Sequence, residues 1–237
     1  NKFATIEYDA LAGELDASET VAHSTDGSAT VSIRKNATDV VVMGVRFKNY
    51  YNTHELYLET KTRMNDTQAV ACLVQADRVA FLYCEFTSYH DTLYVQSGRH
   101  YFNQCYIEGR TDYIFGYDST SVFQGCTIKS LGAGLTEKNG GYIVATKGNL
   151  IGSQNINYGI VFDQCTLTGD ENVQPGSVSI ARGWDKGMTV MVMNSEISGH
   201  FSKEAYGYTE SELNDRYTKM NADPVASQLF EYNNTGD

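Results

Sequence analysis

Val79-Ala80-Phe81-Leu82-Tyr83-Cys84-Glu85-Phe86 is followed by three variants of itself: His100-Tyr101-Phe102-Asn103-Gln104-Cys105-Tyr106-Ile107, Ser121-Val122-Phe123-Gln124-Gly125-Cys126-Thr127-Ile128 and Ile160-Val161-Phe162-Asp163-Gln164-Cys165-Thr166-Leu167. Cys84, Cys105 and Cys126 stand 21 residues apart, and Cys165 follows 39 residues later. Looser copies flank these, with Val45 in the cysteine position of residues 40–47 and Ser195 in that of residues 190–197. Each copy alternates apolar and polar residues with period 2, as a strand buried on one side does, and lacks the spacings of 3 and 4 that a helix needs. A unit of about 20 residues cannot bury its apolar face alone, so neighbouring units must stack. That length makes one coil of three short strands and three turns, with coils about 4.8 Å apart. The predicted fold is all-β: a right-handed, single-stranded parallel β-helix, a solenoid whose loop insertions frame a cleft. Buried free cysteines pack as small hydrophobes, so Cys84, Cys105, Cys126 and Cys165 are read as a core ladder rather than as catalytic thiols.

The 237 residues are read as one domain, 1–237. Asn1-Lys2-Phe3-Ala4 and Asn234-Thr235-Gly236-Asp237 lack start and stop signals, so both ends are expected to be cuts within a longer protein. Eighteen basic against 29 acidic residues give a formal charge of −11. Such a chain is not expected to bind a nucleic-acid backbone, which Lys and Arg must neutralise. No run of about 18 apolar residues exists, so no membrane partner is expected. The five cysteines form no CxxC pair and no zinc-type spacing with histidine, and their odd number precludes complete pairing. No metal and no cofactor are expected. His23, His54, His100 and His200 share no ligand spacing and read as surface or structural residues. Residues 49–65, with Tyr50, Tyr51, His54 and Tyr57, and residues 131–141, 169–177 and 200–228 read as excursions from the coils.

The 21-residue repeat carries a second coincidence. Asp91 lies seven residues after Cys84, and Asp112 seven after Cys105. Each opens an apolar segment, Asp91-Thr92-Leu93-Tyr94-Val95 and Asp112-Tyr113-Ile114-Phe115-Gly116. In stacked coils the two carboxylates come from adjacent strands, about 5 Å apart at Cα. Like charges that close oppose double ionisation, which favours one protonated acid beside one carboxylate, an arrangement recurrent in hydrolytic sites. The next strands in the stack, Tyr142-Ile143-Val144-Ala145-Thr146 and Val178-Ser179-Ile180-Ala181-Arg182, place Arg182 on the same face, where its guanidinium can hold one Asp ionised. Tyr94, Phe115 and Trp184 are expected as an aromatic lining for sugar rings. Strict alternation would point Asp91 inward with Leu93 and Val95, so a bend or bulge must turn it out. A stacked ladder of turn aspartates is the competing structural reading of the pair.

Thr67-Gln68-Ala69-Val70-Ala71, Tyr89-His90-Asp91-Thr92-Leu93-Tyr94-Val95, Tyr106-Ile107-Glu108-Gly109 and Thr111-Asp112-Tyr113-Ile114-Phe115-Gly116 resemble, in order and spacing, the signature blocks of the pectin methylesterases (pectinesterases). The resemblance covers residues 28–199 and extends weakly to residues 230–233. It implies the parallel β-helix fold and a secreted, monomeric esterase that removes methyl esters from homogalacturonan. On that resemblance Asp112 is the nucleophile, Asp91 the general acid and then base, Gln68 an oxyanion donor and Arg182 the group that orients Asp112. Trp184, with Phe115, Tyr94 and Thr111, would contact the sugar. His90 stands where the family usually has Gln, and a neutral imidazole can donate one hydrogen bond in its place. The family's Leu-Gly-Arg-Pro-Trp reads Ile180-Ala181-Arg182-Gly183-Trp184 here. The alternatives from the residues are another pectin-acting β-helix enzyme, a lyase or glycosidase, and a non-catalytic carbohydrate-binding solenoid.

Overall fold

The computed structural model describes residues 3–12, 24–51, 68–132, 141–146, 149–151, 154–156, 159–183, 189–202 and 228–236. The chain winds through three parallel sheets in turn, so every coil adds one strand to each. The sheet that carries the site runs, in spatial order, Val31–Ile33, Cys72–Val74, Leu93–Val95, Thr111–Gly116, Gly141–Thr146 and Val178–Gly183. From it the chain passes to a second sheet, whose middle strands are Val79–Leu82, Ser97–Asn103, Asp118–Gln124 and Ile160–Asp163. It then crosses to a third, with Glu85–Thr87, Tyr106–Gly109, Thr127–Ser130 and Thr166–Gly169, before re-entering the first one coil further on. This is the right-handed parallel β-helix that the repeat predicts, the hand being that of nearly all parallel crossovers. Among the described residues the only helix is one 3-10 turn, Asp26–Ser28.

The repeat becomes columns of like side chains inside the coil. Cys84, Cys105, Cys126 and Cys165 are unpaired and buried, as is Cys72. Ser195 continues the ladder, its hydroxyl oxygen accepting from the Cys165 N–H at 3.0 Å. Beside it Phe81, Phe102, Phe123 and Phe162 stack with ring centroids 5.0, 4.3 and 5.2 Å apart. Aromatic contacts of this kind contribute about 0.5–1.5 kcal/mol each beyond the area they bury.

The residue before each ladder position makes the corner between sheets. Gly44, Tyr83, Gln104, Gly125, Gln164, Asn194 and Asn233 all have φ between 49° and 67°. Side chains other than glycine resist this left-handed region by about 1–2 kcal/mol. Stacking compensates, because the backbone ladder continues through the corner: the Tyr83 N–H reaches the Asn103 carbonyl at 2.9 Å and the Gln104 N–H the Gln124 carbonyl at 2.9 Å.

His100 is structural, as its sequence context suggests. Its ring is buried, with Nδ1 3.0 Å from Ser121 Oγ and Nε2 3.1 Å from the Ala76 carbonyl. Burial pushes its pKa from 6.5 down to about 4. The unfolded chain therefore takes up a proton before the folded one does, and stability falls as pH drops from about 6.5 towards 4. The loss from this one residue is expected to reach about 3 kcal/mol. Thermal unfolding followed from pH 7 to 4 should show a shallower decline in His100→Gln than in the native sequence; equal slopes would refute the assignment.

Candidate active site

The bend that the alternation pattern demands is a single left-handed residue repeated in two coils. Asp91 has φ 62° and Asp112 φ 51°. Around the second the strand is bulged: Thr111 pairs with Tyr142 and Ile114 with Val144, so Asp112 and Tyr113 together face Ile143. The coils beneath stay in register, His90 bridging to Thr111 and Leu93 pairing with Ile114, which stacks Asp91 on Asp112. The Asp91 N–H donates to the Thr111 carbonyl at 3.1 Å. The bulge puts two successive side chains inside. Tyr113 and Ile114 are fully buried, and the Tyr113 hydroxyl meets Ser130 Oγ at 3.0 Å. Thr92 and Leu93 repeat this one coil below, with Thr92 Oγ1 donating to the Glu108 carbonyl at 2.9 Å. The aspartate before each pair is thereby left on the outside.

That outside is a cleft of about 430 Å³ lined by Gln68, His90, Asp91, Thr111, Asp112 and Arg182, with Tyr94, Phe115, Tyr142, Ala145 and Thr25 around them. One oxygen of Asp91, one of Asp112 and a ring nitrogen of His90 lie within 4.8 Å of one another. His90 Nε2 is 3.3 Å from Asp91 Oδ1. Arg182 comes from two coils further on and forks onto Asp112, Nε donating to Oδ1 at 2.7 Å and Nη2 to Oδ2. Its strand position pairs with Ala145, which pairs onward with Phe115. The methyl group of Ala145 leaves the space through which the long side chain reaches back, and the guanidinium also sits 5.7 Å over the Tyr142 ring. The fork orients Asp112, while Asp91 faces an imidazole. The Gln68 side-chain oxygen is buried with no hydrogen-bond partner among the described residues, and Gln68 lines the cleft.

The structure thus brings together Asp91, Asp112, Gln68, His90, Thr111 and Arg182, as the sequence suggests. Tyr94 and Phe115 line the cleft too, but they stack on each other at 4.0 Å and are only 4% and 3% exposed. They form its floor, with the Tyr94 hydroxyl donating to that of Tyr117 at 2.7 Å. Trp184 lies outside the described residues. Sequence reasoning passed over Ala145, Tyr142 and Gly109. At Gly109 a Cβ would fall 2.2 Å from that of Tyr113, so this glycine admits the ring that the bulge turns inward. Its signal was present in Tyr106-Ile107-Glu108-Gly109, immediately before the acid's strand.

A family model described as Pectinesterase matches residues 12–236. Probable pectinesterase A of Neosartorya fischeri is 33% identical over 212 residues, covering 89% of this chain and 54% of that protein. Probable pectinesterase A of Aspergillus fumigatus is 31% identical over 218 residues, covering 92% and 58%. The chain spans about half the length of these curated relatives. Among solved structures, the pectin methylesterase from Yersinia enterocolitica aligns with a TM-score of 0.80 at 25% identity, over 98% of this chain and 76% of that one.

Gly109→Ala is expected to lower stability by about 1–3 kcal/mol, as overpacking does in cores. The denaturant midpoint measures it, and a midpoint equal to that of the native sequence would show that Tyr113 does not hold the bulge in place.

Proposed function

Because the chain belongs to the pectinesterase family, we propose that it removes methyl esters from the galacturonate units of pectin, with Asp112 as the nucleophile and Asp91 as the general acid and base. The observation that carries this reading is the inequality of two stacked acids: their oxygens lie within 4.8 Å, Asp112 is held in a fork by Arg182, and Asp91 has the His90 ring nitrogen 3.3 Å away. A forked guanidinium favours the charged carboxylate, which suits a nucleophile. The neighbouring acid, facing that charge, is favoured in its protonated form, which suits a proton donor.

The steps follow from the positions. An Asp112 oxygen adds to the ester carbonyl carbon, and the electron pair moves to the carbonyl oxygen. The Gln68 amide NH₂, and the His90 ring N–H when that nitrogen carries its proton, are the cleft's donors to the oxyanion. Collapse breaks the bond to the methoxy oxygen, which takes the proton of Asp91 and leaves as methanol, so that the acyl group rests on Asp112 as an anhydride. The ionised Asp91 then removes a proton from water, whose oxygen attacks the acyl carbon. Cleavage frees the Asp112 carboxylate and the galacturonic acid, and Asp91 is protonated again. No step needs a metal or cofactor, and every participating group comes from one chain, which suits action as a monomer. The chain's −11 charge favours methylated, uncharged stretches of homogalacturonan over the polyanion that is produced. Action outside the cell, where this polymer resides, is part of the proposal; no described helix is long and apolar enough to cross a membrane.

Methanol release from methylated pectin is the test. Asp112→Asn and Asp91→Asn should each lower it by about 10⁴-fold or more, as loss of a reacting group does elsewhere. Arg182→Lys, which keeps charge but loses the fork, should cost about 100-fold through misplacement of Asp112. Unchanged thermal transitions would confirm that the folds are intact. Release of unsaturated chain ends without methanol, or full activity in Asp112→Asn, would overturn the assignment.

A further inference from the structure

We propose that His90 and Asp91 hold a single proton between the imidazole Nε2 and the carboxyl, so that the proton given to the leaving methanol, and recovered from water, belongs to the pair. The shared proton rests on geometry; its use in catalysis rests on the esterase reading above.

His90 Nε2 lies 3.3 Å from Asp91 Oδ1, with the two side chains 20% and 10% exposed. Catalytic hydrogen bonds are commonly this long before substrate binds and tighten with it. Backbone pairing fixes the approach. The Ala69 N–H donates to the His90 carbonyl at 3.0 Å from the coil on one side, and Thr111 bridges to His90 from the coil on the other. The left-handed φ of 62° at Asp91 breaks the alternation between the two neighbours, and both side chains line the cleft.

The charges around the ring favour a proton there. One oxygen of Asp91 and one of Asp112 lie within 4.8 Å of a ring nitrogen. Arg182 forks onto Asp112, and Arg110 sits 6.0 Å over the Tyr89 ring. Gln68, Thr25, Thr111, Tyr94 and Tyr142, the other polar residues lining the cleft, carry no charge at neutral pH. A carboxylate this close favours the charged imidazole, as opposite charges within about 4–6 Å do. An unperturbed imidazole is already more basic than an aspartate carboxyl by about 2.6 pH units. The proton therefore rests on His90 at pH values where a lone carboxyl would have released it, and reaches the methoxy oxygen through Asp91.

The cycle balances. The pair starts with one proton and has none once methanol has left. It regains one when Asp91 takes it from the attacking water and passes it to Nε2. Glutamine, the residue usual at this position in the family, can donate a hydrogen bond to an oxyanion but cannot take up a proton. Histidine thus gives this chain a second proton carrier and moves the working range of its acid upward, the titration belonging to the two residues together.

Ring-nitrogen NMR on the native chain reads the charge of His90, its signals being those missing from His90→Gln. The ring should lose its proton about one pH unit or more above the ordinary value of about 6.5, and in Asp91→Asn that midpoint should fall by about one unit or more. His100 and His200, which burial pushes down to about 4, stay neutral through this range. In the pH profile of kcat/KM for methanol release, the falling alkaline limb should lie about one pH unit or more higher in the native chain than in His90→Gln, which keeps a donor for the oxyanion. A limb at the same pH in both would leave His90 an oxyanion donor alone and overturn the pair, as would an imidazole that titrates alike with and without the Asp91 carboxyl. A native chain that releases no methanol, while His90 titrates high and responds to Asp91→Asn, would overturn the esterase reading and leave the shared proton standing.

Discussion

A parallel coil has one demanding constraint: each turn of backbone must repeat the turn below it, so that N–H and C=O groups meet across a gap of about 4.8 Å. Every other property of this molecule is built on that repetition. The inward columns of cysteine and phenylalanine exist because like positions fall above one another. The left-handed corners at Tyr83, Gln104 and Gln164 persist because the neighbouring corner supplies the hydrogen-bond partner. The two acids share a cleft for the same reason. A side chain placed outward in one coil is placed outward in the next, and two aspartates 21 residues apart become neighbours.

Repetition alone would make those aspartates equivalent, and equivalent acids make a poor catalyst. The symmetry is broken from a distance. Arg182 enters from two coils away, passes over the small Ala145 and forks onto the nearer carboxylate. Asp91, one coil further from the guanidinium, has His90 as its neighbour instead. Two residues of one type in one backbone conformation thus receive different partners, and in the proposed mechanism it is environment rather than identity that divides the roles of nucleophile and acid between them.

The fold was legible in the chain because its signal is redundant. Four cysteine-centred copies fix both the period and the buried face, and a reading of any one could fail without loss. The location of the acids was legible too, from their common offset to Cys84 and Cys105. The orientation of their side chains was not. Alternation counted from Leu93 and Val95 sends Asp91 inward, and only the left-handed φ at each aspartate, with the bulge opposite Ile143, reverses that. Aspartate tolerates such a conformation without announcing it. Ala145 and Gly109 escaped notice for a related reason: their contribution is the volume they leave empty, which no pattern of polar and apolar letters records. The expected sugar platform of Tyr94 and Phe115 is a buried stack, because burial of an outward row depends on what lies over it and not on the strand's own sequence.

Between the Cys126 and Cys165 coils the chain leaves the ladder for a long excursion containing an antiparallel hairpin, Asn149–Ile151 with Gln154–Ile156, and returns to pair Ser121 with Ile160 as though nothing had intervened. The solenoid therefore separates inheritance of the scaffold from variation of its ornaments. Insertions hung at a corner can lengthen, shorten or change composition without moving the acids. An added residue between positions 91 and 112 would slide one carboxylate off the other. Divergence in such a lineage is channelled to the rims of the groove, while the single turn that joins the two aspartates must keep its length.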